Sequence, residues 1–184
     1  MSGARILSGT RMGKGNKVHH GAVLGSEPQD FHYTGEHTLL VIGDKNDIRE
    51  NVVISRGTHE GQYTQIGNEN YLMDGVHLCH DVKIANHCVL GIKTTVAGDC
   101  CIDSYVILSS NVLLQQNCHI GSWSLVQSGC RISKDVPPYI IMAGNPAEYH
   151  GVNAMVLQHK NQVTDRILRH IMNCLLYTSD AADE

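Results

Sequence analysis

The sequence predicts an all-β solenoid, a parallel β-helix with three short strands in each coil. Three observations carry that prediction. The first is a period of six: Ile66, Leu72, Leu78, Ile84, Leu90, Val96, Ile102, Leu108, Leu114, Ile120, Val126 and Ile132 are twelve aliphatic residues in unbroken succession. A helix repeats near 3.6 residues and a lone strand near 2, so neither produces a clean six. The second is a companion slot four residues after each rung, holding Asn70 and then Val76, Val82, Cys88, Thr94, Cys100, Val106, Val112, Cys118, Ser124 and Cys130, all small or β-branched after the first. The third is composition: 18 glycines and only 5% aromatic residues in a chain of 184 describe a core of aliphatic and small side chains.

Taken in order, the register starts upstream in two shorter pieces, Ile6, Met12, Val18, Leu24 and then Ile42, Ile48, Ile54, so the helix is expected over residues 1–136. Loops near 25–41 and 55–65 interrupt the count. The period resembles that of the hexapeptide-repeat proteins, whose parallel β-helix winds left-handed, and a left-handed parallel β-helix is expected here. Cys88, Cys100, Cys118 and Cys130 all fall in the small inward slot, where a thiol is inert packing. Pro137 and Pro138 have no N–H to give a ladder and end the coil. Residues 137–173 then read as a cap segment. Within it Met155, Leu157, Val163, Ile167, Leu168 and Ile171 recur at roughly helical intervals, which predicts a short C-terminal α-helical segment. Residues 174–184, CLLYTSDAADE, resemble a translated sequencing adapter and stand outside the fold; the natural chain is expected to continue beyond Asn173.

Composition also excludes function classes. Fourteen Lys and Arg against eighteen Asp and Glu give a formal charge of -4, the wrong sign for a nucleic-acid binder. No run of about 18 apolar residues exists, so no membrane span is expected. The opening MSGARILSGTR lacks the apolar stretch of a secretory signal. Seven cysteines without a CxxC fit a reducing compartment, and the expected location is cytoplasmic.

The chemistry begins at VHLCHD, residues 76–81. With three six-residue rungs closing one coil of eighteen, the residues stacked on His80 are Gly98 and Gln116, each two positions after its own rung. Adjacent strands lie about 4.8 Å apart. His80 and the Gly98 backbone are therefore expected as neighbours. A neutral imidazole can take the proton of an attacking hydroxyl, and a glycine amide can approach a developing oxyanion closely. Asp81 can orient the ring only if the turn folds its carboxylate back, because consecutive strand residues face opposite sides. His77 lies one residue from an inward rung and is a candidate substrate contact. Zinc would need a third ligand, but two coils beyond His77 and His80 stand Leu113 and Gln116, so no metal is expected.

In order and spacing, EPQDFHYTGE (27–36), VIGDKNDIRENVVISRGT (41–58), NYLMDGVHLCHD (70–81), VAGD (96–99), DVPPYIIMAGNPA (135–147) and GVN (151–153) resemble the acyl-carrier-protein-dependent UDP-N-acetylglucosamine O-acyltransferases of lipid A synthesis. The resemblance spans about residues 5–160. It implies transfer of a 3-hydroxyacyl group from the phosphopantetheine of acyl carrier protein to the 3-hydroxyl of UDP-N-acetylglucosamine. It further implies a homotrimer with clefts between subunits, and neither metal nor resident cofactor. Position by position it makes His80 the general base, Asp81 its neighbour and Gly98 the oxyanion donor. Asp30, His77, Gln116 and Asn153 line the substrate cleft.

The chain also departs from that family. Asp99, Gln115 and Ser55 stand where the family has histidines, and Ile92 and Lys93 where it has asparagines near the acyl groove. His159 and Lys160 replace a basic pair, and Ser128 falls near the position that sets acyl length, hinting at a shorter groove. An altered acyl group or acceptor follows as an expectation. A different nucleotide-sugar acyltransferase, or a divergent paralogue or scaffold of reduced activity, stays open beside it. Lys160, Arg166 and Arg169 are candidates for docking the acidic carrier protein.

Overall fold

The computed structural model describes residues 3–153, and the expected helix over 154–173, with Lys160, Arg166 and Arg169, lies outside them. Among the described residues are twenty-one strands and no helix. Most strands are two residues long, and every third one joins the same sheet, giving sheets of seven, six and eight strands. Register proves the coil length: His77 pairs with Thr95 and Thr95 with Leu113, in parallel, so each coil adds one rung to each face. The eight-stranded sheet ends in an antiparallel pair, Ile140–Ala143 against Glu148–Val152, past the two prolines.

The rungs point inward as the period requires. All twelve from Ile66 to Ile132 are no more than 2% exposed. Each buried aliphatic side chain stabilises the prism by roughly 1.5–3 kcal/mol before ordering costs. The upstream piece differs: Ile6 is 56% exposed, and Met12 and Val18 are only partly buried. The strand Arg5–Ile6 has a neighbour on one side only among the described residues, so its rung is covered from one side. Asn70, the odd occupant of the small slot, is buried and satisfied. Its Nδ2 donates to Ala85 O and its Oδ1 accepts from Cys88 N–H, while its own N–H donates to Asn46 Oδ1. Burial pushes the Cys88 thiol up to about 11 and the Cys100 thiol up to about 12.

Corners between faces repeat as strictly as rungs. Twelve non-glycine residues have φ between 55 and 66°, and each lies three residues after a buried aliphatic, from Lys45 after Ile42 to Tyr139 after Val136. That conformation costs an L-residue about 1–2 kcal/mol. The ladders on either side of each corner hold it there.

The chain leaves the ladder between Ser26 and Leu39 and again between Ser55 and Tyr63. The two excursions are clamped together. Arg56 donates to Tyr33 Oη at 2.6 Å and to Gly25 O and Glu27 at 3.3 Å, and His37 N–H donates to Glu60 at 2.9 Å. Ser55, where the resembling family has a histidine, is buried beside Ser26 with their hydroxyls 3.2 Å apart.

Candidate active site

His80 sits at the corner that follows the strand His77–Leu78, with its side chain 10% exposed. Asp81 comes next in the chain and has φ of 59°. This left-handed turn lets its carboxylate fold back onto the preceding side chain. Its Oδ2 lies 3.0 Å from His80 Nδ1. The carboxylate is itself fixed by Thr58 N–H at 3.1 Å, and the Asp81 N–H donates to Thr64 Oγ1 at 2.9 Å. The condition set by the sequence, a turn that redirects the carboxylate, is therefore met.

Gly98 lies against the same ring. A Cβ there would collide with His80 Cε1 and stand 2.6 Å from Nε2 and 3.0 Å from Nδ1, so any side chain at this position displaces the imidazole. Among the described residues the Gly98 N–H donates no backbone hydrogen bond, while Gly98 O accepts from Asn117 N–H. The stacking inferred from the count of eighteen holds in three dimensions.

The loop of residues 27–38 brings Asp30 over this corner, and its Oδ2 is 3.3 Å from His80 Nε2. The other oxygen, Oδ1, accepts from the His32 backbone N–H at 2.7 Å and meets His32 Nδ1 at 2.8 Å. These bonds, the backbone one foremost, hold the Asp30 carboxyl below the usual carboxylate range. Asp30, His80, Asp81, Asp99 and Gln116 line one open cleft of about 370 Å³, whose rim carries the fully exposed Phe31. Gln116 Nε2 donates to Asp99 Oδ2 at 3.0 Å.

Two expected site residues lie elsewhere in the chain. His77 is on the outer face of the seven-stranded sheet between Val53 and Thr95, and is not among the cleft-lining residues. Its position in a strand, not at a corner, aims it away; partial burial holds its pKa below the usual imidazole range. Asn153 is buried at another edge, donating from its N–H to Tyr139 O and from Nδ2 to Trp123 O. The antiparallel pair that follows the prolines carries it there. His32, Thr58 and Thr64 act on the cleft and were not singled out from sequence. Only the place of His32 in PQDFHY and of Thr58 in RGT hinted at those two, and Thr64 lies outside both segments.

The model of the family "Udp N-acetylglucosamine O-acyltransferase; Domain 2" matches residues 135–180. A curated acyl-[acyl-carrier-protein]–UDP-N-acetylglucosamine O-acyltransferase of Stutzerimonas stutzeri is 43% identical over 145 residues, covering 78% of this chain and 56% of its own length. One from Synechocystis is 37% identical over 173 residues, covering 93% and 62%. The chain thus spans 54 to 62% of the length of these curated relatives. The crystal structure of LpxA, a UDP-N-acetylglucosamine acyltransferase from Bacteroides fragilis, superposes with a TM-score of 0.91 at 46% identity, over 94% of this chain and 68% of that one. A three-faced prism of hexapeptide coils, a histidine pressed on a glycine one coil away, and these likenesses together place the chain in the UDP-N-acetylglucosamine O-acyltransferase family.

Proposed function

We propose that this protein transfers a 3-hydroxyacyl group from acyl carrier protein to the 3-hydroxyl of UDP-N-acetylglucosamine, the first step of lipid A synthesis, with His80 as general base. The contact that carries the reading is His80, tied at Nδ1 to Asp81 and packed on Gly98. With the Nδ1 proton donated to the Asp81 carboxylate, Nε2 keeps a lone pair, which becomes available to the cleft as the acceptor hydroxyl takes the place of Asp30 Oδ2. It takes the proton of the sugar hydroxyl as that oxygen attacks the thioester carbonyl. The C–O bond forms, the carbonyl oxygen becomes an oxyanion, and the Gly98 N–H stabilises it. Collapse breaks the C–S bond; the thiolate of the carrier's phosphopantetheine takes the proton from His80 and leaves as thiol. No metal or resident cofactor enters this sequence.

Asp30 and Gln116 are assigned to the acceptor because they line the cleft. Asn153 and His77 are assigned to substrate only with a second copy alongside, since one chain holds them away from His80. Such a copy has a surface to meet. Beyond Lys17 and Asp47, the outer column of the eight-stranded sheet runs Tyr71, Val89, Ile107, Leu125 and Ile141, apolar and partly exposed, whereas beyond Arg11 and Val41 that of the six-stranded sheet runs Gln65, Lys83, Cys101 and His119. A homotrimer built on the apolar face completes the reading, as do a left-handed winding, a C-terminal helical segment and a cytoplasmic location. A second reading, a different acceptor or acyl group, is favoured by Asp99, whose carboxylate occupies the cleft and engages Gln116.

The test is to incubate the protein with several hydroxyacyl carrier proteins and two or three nucleotide sugars and read products by mass. A mono-acylated UDP-N-acetylglucosamine made by wild type and not by His80→Ala supports the reading. Acylation of another nucleotide sugar in preference supports the second. No transfer, or equal transfer by both proteins, refutes the mechanism.

A further inference from the structure

We propose that His32 is a positioning residue of this site: it anchors the Asp30 carboxylate and thereby sets the space in front of His80 Nε2. The proposal rests on the acyl-transfer reading only for what that space is used for. Four side chains form a chain in which imidazole and carboxylate alternate, His32, Asp30, His80 and Asp81, with successive contacts of 2.8, 3.3 and 3.0 Å. Their side-chain exposures fall from 80% through 20% to 10% and 10%, so the chain runs from solvent to interior.

The two ends of the chain are unequal. Asp81 is held from two segments, its carboxylate by Thr58 N–H of the second excursion and its N–H by Thr64 Oγ1 of the strand Tyr63–Ile66. Asp30 sits on a loop, and its Oδ1 is held by two donors from one residue, the His32 backbone N–H and ring. The base of that loop is fixed by Arg56 on Tyr33. At 3.3 Å between Asp30 Oδ2 and His80 Nε2 there is no room for an oxygen between them. An acceptor hydroxyl therefore reaches Nε2 only as Asp30 swings aside, pivoting on the oxygen that His32 holds. His59, Asp81 and Asp99 are the other charged or titratable groups facing this cleft, and none is bonded to Asp30.

The experiment compares His32→Leu, which removes the ring donor and keeps the backbone N–H, with His32→Asn, which keeps a side-chain donor. The ring is exposed, so both variants are expected to fold, and a thermal melt checks it. The decisive readout is the pair of ¹⁵N resonances of the His80 ring, followed by NMR in the full chain. His32→Leu is expected to move the Nε2 resonance while His32→Asn stays near wild type. In turnover, His32→Leu is expected to raise KM for the nucleotide sugar about tenfold, as loss of a charge-assisted hydrogen bond would, with kcat little changed and His32→Asn restoring it. His80 resonances in His32→Leu that superpose on wild type overturn the proposal. Absence of turnover in wild type overturns the acyl-transfer reading instead, and the NMR comparison still decides the role of His32.

Discussion

Two edges of the prism solve the same problem in opposite ways. At the corners after the six-stranded sheet, a side chain from each coil accepts the amide of the coil before: Asp44 N–H donates to Asn68 Oδ1 at 2.7 Å, Asn68 N–H to Asn86 Oδ1 at 2.7 Å, and Asn86 N–H to Ser104 Oγ at 3.3 Å. The equivalent positions after the seven-stranded sheet are His80, Gly98 and Gln116. Gly98 has no side chain with which to cap, and Gln116 turns away to Asp99. The first edge is a sealed structural ladder. At the second the cap is missing, a backbone donor stays open, and a histidine ring occupies the vacated space. The candidate site is thus made by withholding a repeat of the scaffold's own stabilising contact.

Several substitutions break or sharpen this contrast. The largest expected effect is His80→Ala on the open edge: acyl transfer falls about 10³-fold, measured as kcat, with thermal stability preserved. Asp81→Asn comes next, because the amide lacks the negative charge that orients and polarises the ring while Thr58 and Thr64 keep partners nearby; about 10²-fold in kcat is expected. On the sealed edge the currency changes from rate to stability. Asn86→Ala removes the acceptor of the exposed Asn68 amide and costs about 0.5–1.5 kcal/mol in denaturant unfolding, with kcat unaltered. The smallest effect is chemical. With their pKa values pushed up to about 11 and about 12, Cys88 and Cys100 hold almost no thiolate at pH 8, so a thiol reagent should label the exposed Cys101 and leave these two unmodified in the folded protein.

How much of this was legible in the sequence follows from which contacts are periodic. Every inward rung gains its burial independently, so Leu78, Leu90 and their kin show through as a count of six. The same count, taken three times, placed His80 on Gly98. The left-handed corners were not legible, since Lys45, Glu69 and Trp123 share a conformation that their residue types do not advertise. Loop contacts were hidden for another reason: Asp30 reaches His80, and Arg56 reaches Tyr33, by excursions that leave the period. Asn153 was assigned to the cleft by resemblance and lies at a different edge, because the antiparallel pair after Pro138 obeys no six-residue rule.

The contrast between the edges comes to a point at Gly98. Replacing it with asparagine would extend the sealed ladder's residue type into the open edge and press a side chain onto the His80 ring. Steady-state acyl transfer by Gly98→Asn, with its thermal midpoint measured alongside, should fall at least about 10²-fold while the protein stays folded. Turnover near that of wild type in a folded Gly98→Asn protein would contradict the account.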